Sequence, residues 1–414
     1  MIILSNSDFY IEHNFLPTKT YMNLSDSKDY STYKSQRLFL LENLLNIPRK
    51  ILDGCSYLEI GPDSGENAIL AASLGSYITC IDPNPLAIAS VNDLFYNFPD
   101  KNVAKRLIKS EICYFEEYQT DKKFNLIACE GMIHTVTDSH SFVKKMSILS
   151  CPQGFVLVSY CNELSLFADL FHSKVFKSLV TNHLEVKEIN KNSIEDILTF
   201  GKILFSNKWS RINHLRSIDT WLMDVLLNPV VKIEKTVDTL SMLKTFKDFG
   251  LNYFSSWPRY EQIGEMRWHR NIKTVDERFS NISTQYKKFS LQFLLGHSTD
   301  FIHIINDQEY IENLYRLCRK VNADLDVSNW IALGDDFKIL IEILSNNSSF
   351  VHTEDYMKII SILNMLIEIT DYLKLDLHQD LINYMMLSSS ESESSFDFNN
   401  YWGQPNHYLV LYKD

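Results

Sequence analysis

The pattern of apolar and polar positions changes period several times along the first 170 residues. Residues 30–45 (YSTYKSQRLFLLENLL) place apolar side chains at helical spacing and stop before Pro48, which predicts an amphipathic helix. Residues 56–60 (SYLEI) form a short apolar run, followed by a turn rich in Gly and Pro and by a helical segment that Gly75 closes. This succession predicts a strand, a tight turn and a helix.

The same succession repeats farther along the chain. Residues 77–82 (YITCID) predict a second strand, and the prolines of PNPL open a second helix. The apolar runs KRLIKSEI, FNLIACEG and GFVLVSY predict three more strands. Strands that alternate with helices are typical of an α/β fold with a Rossmann-like, doubly wound and mostly parallel sheet.

The chain end supplies a strand that would complete this sheet. Helical spacing continues over 195–250, and LNYFSSW after Gly250 predicts a strand. NHYLVLYKD has clear alternation, so we expect residues 406–413 to pair antiparallel with the strand at 251–256. The segment between them is then an insertion.

The predicted organisation has four parts. They are an N-terminal helical segment at 1–50, a Rossmann-like domain at 51–257, an all-helical insertion at 258–400 and a C-terminal strand at 401–414. Helical spacing in the insertion is clearest in EYIENLYRLCRKV, DDFKILIEIL and EDYMKIISILNMLIEITDYLKL. The acidic run SSSESESS at 388–395 predicts a solvated loop.

The charge, the apolar runs and the cysteine spacing disfavour several classes of binding partner and location. The 40 basic and 52 acidic residues leave a net charge of −12, which disfavours nucleic acid as a ligand. The N-terminal residues lack the features of a signal peptide, and no apolar run reaches the length of a membrane span, so we expect a cytoplasmic protein. The 7 cysteines form no C-x-x-C pair and have no His at ligand spacing, which predicts reduced thiols and no metal site.

Candidate chemistry lies in the turns after the first two predicted strands. Gly61 and Gly65 would let backbone N–H groups approach a ligand closely, although two glycines can also serve packing alone. Asp82 ends the second strand, 21 residues beyond Gly61, where a carboxylate can accept both hydroxyls of a ribose. The two signals together predict a nucleoside-containing cofactor. A dinucleotide-binding oxidoreductase would prefer a glycine where Glu66 stands.

The segment LEIGPDSG resembles motif I of the class I S-adenosylmethionine (SAM) dependent methyltransferases, written E/D-x-G-x-G-x-G, and departs from it at Asp63, where the middle glycine is expected. FNLIACEGMIHTV and LSCPQGFVLVSY resemble the family's fourth-strand and fifth-strand motifs. The resemblance covers residues 30–170 well and 236–257 loosely. It implies binding of SAM, with S-adenosylhomocysteine (SAH) as product, by Glu59, Gly61, Asp63, Gly65, Asp82 (ribose), Pro83, Glu111 (adenine) and Glu130.

Few residues need be catalytic, because methyl transfer is an in-line displacement that depends mainly on positioning. His134 follows the fourth strand and is the candidate to accept a proton from the acceptor, with helix capping as the alternative role. Candidate substrate-binding residues are Tyr160, Asn162, Trp257 and Tyr260, for which packing is the alternative.

Three functions are compatible with these patterns. The first is a methyltransferase for a small molecule, with the helical insertion as a lid or as the interface of a homodimer. The second is a protein or peptide methyltransferase, for which an open groove would be expected. The third is a non-catalytic SAM-binding scaffold. CEGM at 129–132 stands where enzymes that methylate the amino groups of bases or glutamines carry D/N-P-P-Y/F, which counts against those substrates.

Overall fold

A computed structural model describes the following residues: 6–133, 136, 138–186, 190, 192–211, 215–228, 238–261, 274–295, 312, 313, 316, 327–346, 354–386, 398, 401–403 and 406–414. The chain divides into two compact units. Unit 1 comprises Met1–Asn162, Lys235–Gln285 and Asn406–Asp414, and unit 2 comprises Glu163–Glu234 and Tyr286–Pro405.

Unit 1 contains a seven-stranded sheet. Its strands are β1 (Ser56–Ile60), β2 (Tyr77–Asp82), β3 (Leu107–Ile112), β4 (Phe124–Glu130), β5 (Ser150–Cys161), β6 (Leu251–Trp257) and β7 (Asn406–Lys413). They lie in the order β3-β2-β1-β4-β5-β7-β6. The first five strands are parallel, and β7 runs antiparallel to both of its neighbours. The predicted Rossmann-like sheet is confirmed.

The chain end inserts between β5 and β6. Leu409 lies opposite Val158 of β5 and opposite Ser256 of β6, and residues 409–411 are fully buried. The alternating pattern therefore predicted this strand and its antiparallel pairing correctly. Because β7 is paired along both edges, it forms backbone hydrogen bonds with β5 and with β6 and buries apolar side chains between them.

Helices flank the sheet in unit 1. They are α1 (Asn6–Glu12), α2 (Ser27–Leu38), α3 (Glu66–Ser73), α4 (Pro85–Asn97), α5 (Lys101–Ala104), α6 (Ser139–Leu149), α10 (Thr239–Asp248) and α11 (Val275–Lys288, of which the unit includes the part to Gln285). Asp26, Asn84 and Asp138 accept hydrogen bonds from backbone N–H groups in the first turns of α2, α4 and α6, as N-caps do. A π-helical turn at Phe39–Leu44 and a 3₁₀ turn at Arg49–Leu52 lead into β1.

Unit 2 is helical throughout its described elements. Its helices are α7 (Phe167–Asn182), α8 (Ile194–Ser210), α9 (Ile218–Trp221, continued by a π-helical turn to Leu227), α12 (Ser290–Leu295), α13 (Val327–Ser345), α14 (Glu354–Lys374) and α15 (His378–Met386). The helical spacing of DDFKILIEIL and EDYMKIISILNMLIEITDYLKL is thus confirmed. Most of 309–321 and all of 388–395 lie outside the described residues.

Residues 163–234 belong to unit 2 by their contacts, whereas the sequence pattern had placed them in the domain at 51–257. The side chain of Ser173 on α7 donates to the Leu226 carbonyl at 2.7 Å, and Asn207 on α8 donates to the Met386 carbonyl at 2.7 Å. The first contact lies within 163–234, and the second links this segment to α15. The four-part division of the chain stays a prediction.

Candidate functional site

The turn after β1 adopts a conformation that favours glycine. Gly61 has φ of +72° and donates its N–H to the Ile81 carbonyl of β2 at 2.9 Å. Gly65 has φ of +91° and is the N-cap of α3. A residue with a side chain is strained in this left-handed region, so both positions favour glycine.

Both glycines also lie against neighbouring atoms. A Cβ at position 61 would lie 1.9 Å from Sδ of Met132, which follows β4. A Cβ at position 65 would lie 3.0 Å from Cγ2 and 3.2 Å from Cα of Val91 on α4. The close approach explains why the turn keeps these glycines, and the lack of side chains leaves the peptide backbone open to a ligand.

Asp82 ends β2 at the same edge of the sheet, because β1 and β2 are parallel. Its side chain is 9% exposed, and its Oδ1 accepts the Asn84 N–H at 2.8 Å. Burial raises its pKa to about 6, while hydrogen bonds from the backbone of Asn84 and Asp63 act in the opposite direction. Near neutral pH the carboxyl group is therefore largely ionised, and an ionised carboxylate accepts hydrogen bonds through both oxygens.

Glu59 lies on β1 beneath this turn and is 3% exposed. Among the residues that the structure describes, its Oε2 has no hydrogen-bond partner. Burial, and after it the charge of Glu130, raises the pKa of Glu59 to about 8, although Arg37 and a hydrogen bond from Asn67 lower it. A buried carboxyl oxygen without a partner is costly unless a ligand supplies one.

Glu130 ends β4 and forms a bidentate ion pair with Arg37 of α2. Arg37 Nη1 donates to Glu130 Oε2 at 2.8 Å, and Nη2 donates to Oε1. The side chains are 10% and 14% exposed. No sequence pattern marked this pair, because its members stand 93 positions apart.

The other predicted cofactor residues lie in the neighbouring turns. Glu111, near the end of β3, forms an ion pair with Lys109 on the same strand. Pro83, which follows Asp82, and Asp63, in the turn after β1, are half-buried. The structure thus brings Glu59, Asp63, Asp82 and Glu130 to the carboxyl-end edge of the sheet, while the role of each in binding stays a prediction.

The predicted substrate residues form a buried polar network. Tyr160 Oη lies 2.7 Å from Thr239 Oγ1, and Asn162 Nδ2 donates to the same oxygen at 3.0 Å. Tyr260 Oη lies 3.4 Å from Tyr160 Oη and shares a second hydrogen bond with His407 Nδ1. Tyr160, Asn162 and Tyr260 are fully buried.

Trp257 ends β6, is half-buried and packs its ring 6.4 Å from that of Tyr408. The candidate general base His134 lies outside the described residues.

Within the part of the chain that the structure describes, no group of three or more His, Cys, Asp or Glu could hold a metal ion. No described helix has the length and apolar content needed to cross a bilayer.

Comparison with known proteins finds one family model that matches part of the chain. Residues 32–225 match a family model described as a methyltransferase domain. A search of curated proteins finds no match.

Among solved structures, the chain is similar to the N-methyltransferase NodS from Bradyrhizobium japonicum WM9 in complex with SAH, with 18% identity over 38% of this chain and 74% of that chain and a TM-score of 0.28. It is also similar to PKMT2 from Rickettsia typhi, with 13% identity over 62% of this chain and 50% of that chain and a TM-score of 0.40. The chain therefore spans about half the length of the Rickettsia protein.

Proposed function

We propose that the protein, whose residues 32–225 match a methyltransferase-domain model, is a class I S-adenosylmethionine-dependent methyltransferase and that its methyl acceptor is a small molecule. The main support for this acceptor class is the full burial of Tyr160, Asn162 and Tyr260 at the carboxyl end of β5 and after β6. An acceptor that reaches these enclosed polar side chains has to be small enough to enter the interior of the domain, whereas a peptide would need an open groove.

The residues at the ends of β1 and β2 fit the cofactor. Glu59 Oε2, which lacks a partner among the described residues, can accept from a cationic amino group. Asp82 can accept from ribose hydroxyls, and the Gly61 to Gly65 turn leaves room for the amino acid portion. The proposed cofactor set also includes Asp63, Pro83, Glu111 and Glu130.

SAM, when bound, supplies a sulfonium methyl group that a nucleophile can displace. The chain's own contribution is to orient the acceptor, exclude water and take up a proton where the acceptor carries one. His134, four residues beyond the end of β4, is the proposed proton acceptor. The helical insertion at 258–400 is proposed as a lid or as the interface of a homodimer. A cytoplasmic location is proposed as well.

Calorimetric titration with SAH tests the cofactor site. Asp82→Ala removes charge-assisted hydrogen bonds of about 1.5–3 kcal/mol each, so we expect at least a tenfold loss of affinity. Asp121→Ala makes the same chemical change at an exposed loop position and should bind SAH as the wild type does. Equal SAH affinity in the Asp82 variant and the wild type would contradict the cofactor placement.

A labelling experiment tests the acceptor class. The protein is incubated with methyl-labelled SAM and a cell extract that has been separated into a small-molecule ultrafiltrate and a protein retentate. We expect label in the ultrafiltrate and a large loss of that label with His134→Ala. Label confined to the retentate would support the peptide methyltransferase instead, and SAH binding without label in either fraction would support the scaffold.

A further inference from the structure

The N-terminal segment at 15–20, here named the strap, contacts the turn after β1. Thr18 donates both its N–H, at 2.6 Å, and its hydroxyl, at 2.5 Å, to Oδ2 of Asp63. Thr20 makes the same pair of contacts with Oε1 of Glu66, at 3.3 Å from its nitrogen and 3.2 Å from its hydroxyl. Four hydrogen bonds thus hold two threonines of the strap on the carboxyl groups of Asp63 in the turn and of Glu66 at the start of α3.

The strap also contacts the turn after β2. Asn84 Nδ2 donates to the Phe15 carbonyl at 3.4 Å, and Asn84 stands two residues beyond Asp82. The strap therefore crosses from the carboxyl end of β2 to the carboxyl end of β1. All of these residues belong to unit 1. A ligand held by Asp82 and by the Gly61 to Gly65 turn would occupy the interval that the strap crosses.

Asp63 is the residue that departs from the glycine of motif I. It has φ of +48°, a left-handed conformation that costs a residue with a side chain more than it costs glycine. The side chain offsets this conformational cost, because its Oδ2 accepts two hydrogen bonds from Thr18 that glycine could not accept. Hydrogen bonds to a charged acceptor are the stronger kind. Asp63 is therefore better explained as an anchor for the strap than as a decayed motif position.

We propose that the strap closes over the bound cofactor and that Asp63, by holding Thr18, slows cofactor exchange. The proposal rests on the proposed function, since it assumes that SAM and SAH bind at the ends of β1 and β2. Asp63 acts here as a positioning residue. Its effect should appear in the dissociation rate of SAH more than in the methyl-transfer step.

The test measures the dissociation of tritium-labelled SAH by rapid filtration after addition of excess unlabelled SAH. Asp63→Gly restores the motif glycine and removes the carboxylate that accepts both hydrogen bonds from Thr18. Thr18→Val removes the hydroxyl while keeping a branched side chain. Above about pH 8, where Asp63 is ionised because its pKa is about 7, we expect each variant to release SAH about tenfold faster, as the loss of a hydrogen bond to a charged group implies. The double variant should be no faster than Asp63→Gly alone, because both changes break one interaction.

Two controls make the result specific. Thr32→Val makes the same chemical change on α2, where the Thr32 hydroxyl donates to the Lys28 carbonyl, and should leave SAH release unchanged. Hydrogen exchange at the Thr18 and Thr20 amides should be faster in Asp63→Gly than in the wild type, and a melting curve for each variant confirms that it is folded.

Failure of the strap and failure of the proposed function give different results. If the wild type binds SAH and both single variants release it at the wild-type rate, the strap proposal is wrong and the cofactor site stands. If the wild type binds no SAH, both are wrong. If Asp63→Gly releases SAH faster but Thr18→Val does not, Asp63 acts on the turn and the strap proposal is wrong.

Discussion

Arg37 and Glu130 meet through two parallel hydrogen bonds, although one lies on the helix before the sheet and the other at the end of its fourth strand. Both side chains are largely buried. Both charges act on the buried Glu59: Glu130 adds to the effect of burial and raises its pKa, and Arg37 acts in the opposite direction. The stability of this edge of the sheet and its affinity for a cofactor should therefore depend on the same few charges.

Replacement of Arg37 by Met should strongly destabilise the protein. The change leaves Glu130 buried without its partner, and breaking a buried pair in this way costs about 3–5 kcal/mol. Chemical denaturation of the two proteins measures the difference in the free energy of unfolding. The double variant Arg37→Met/Glu130→Gln should recover much of the loss, because no uncompensated charge remains. A double variant no more stable than Arg37→Met would show that the charge of Glu130 is not the cause.

Gly61→Ala should weaken SAH binding beyond its effect on stability. The left-handed φ alone costs about 1–3 kcal/mol, and the new Cβ would displace Met132 at the ligand edge of the sheet. Gly54→Ala is the matched control, since Gly54 has φ of +73° and a Cβ there would meet no atom within 4 Å. Calorimetry with SAH and thermal melting compare the two. Equal losses of SAH affinity in both variants would contradict a role for the Gly61 turn in the site.

Binding of SAH should release protons below pH 8. The pKa of Glu59 is about 8 because of burial and of the charges on Glu130 and Glu66, while Arg37 and Asn67 act in the opposite direction. A cationic amino group bound beside Glu59 would lower that pKa, so affinity should rise with pH, by at most about tenfold per unit, and level off near pH 8.

Titrations at pH 7 in two buffers of different ionisation enthalpy measure the released protons. Glu59→Gln cannot ionise, and we expect the buffer dependence to shrink accordingly. Asp63, whose pKa burial raises to about 7, also titrates in this range, so Asp63→Asn serves as the comparison variant. Undiminished proton release in Glu59→Gln would assign the protons to another group.

His407 should make the protein less stable in mild acid. It is fully buried beside Tyr260, and burial lowers its pKa to about 3. The unfolded chain takes up a proton below about pH 6.5 while the folded protein does not, so this contribution to stability is complete above that pH and is lost as the pH falls toward 3. Between pH 6.5 and 5 the loss is about 2 kcal/mol.

Denaturation at pH 7 and pH 5 measures the effect. His407→Asn should show a smaller difference between the two pH values than the wild type does. His140→Asn replaces an exposed histidine and should retain the wild-type difference. If His407→Asn retains it as well, another buried group causes the acid sensitivity.

The strands of the sheet, and the meeting of the Gly61 turn with Asp82 at one edge of it, could be predicted from the amino-acid pattern. Strand and helix periodicities are local, so the apolar runs identified β1 to β5, and the alternation of the last residues identified β7. Parallel strands bring their carboxyl ends to one edge, so the turn at Gly61 and the end of β2 at Asp82 could be expected to lie together.

The surroundings of those residues depend on the folded chain and could not be predicted in this way. The pairs Arg37 with Glu130 and Thr18 with Asp63 join positions 93 and 45 apart, and nothing in either local pattern marks its partner. The raised pKa of Glu59 arises from desolvation, which depends on everything packed around the side chain. Likewise, the helical spacing at 195–250 does not say which unit these helices join, and contacts along the chain group 163–234 with 286–405. Local pattern specifies elements, whereas burial and pairing across the chain specify their chemistry.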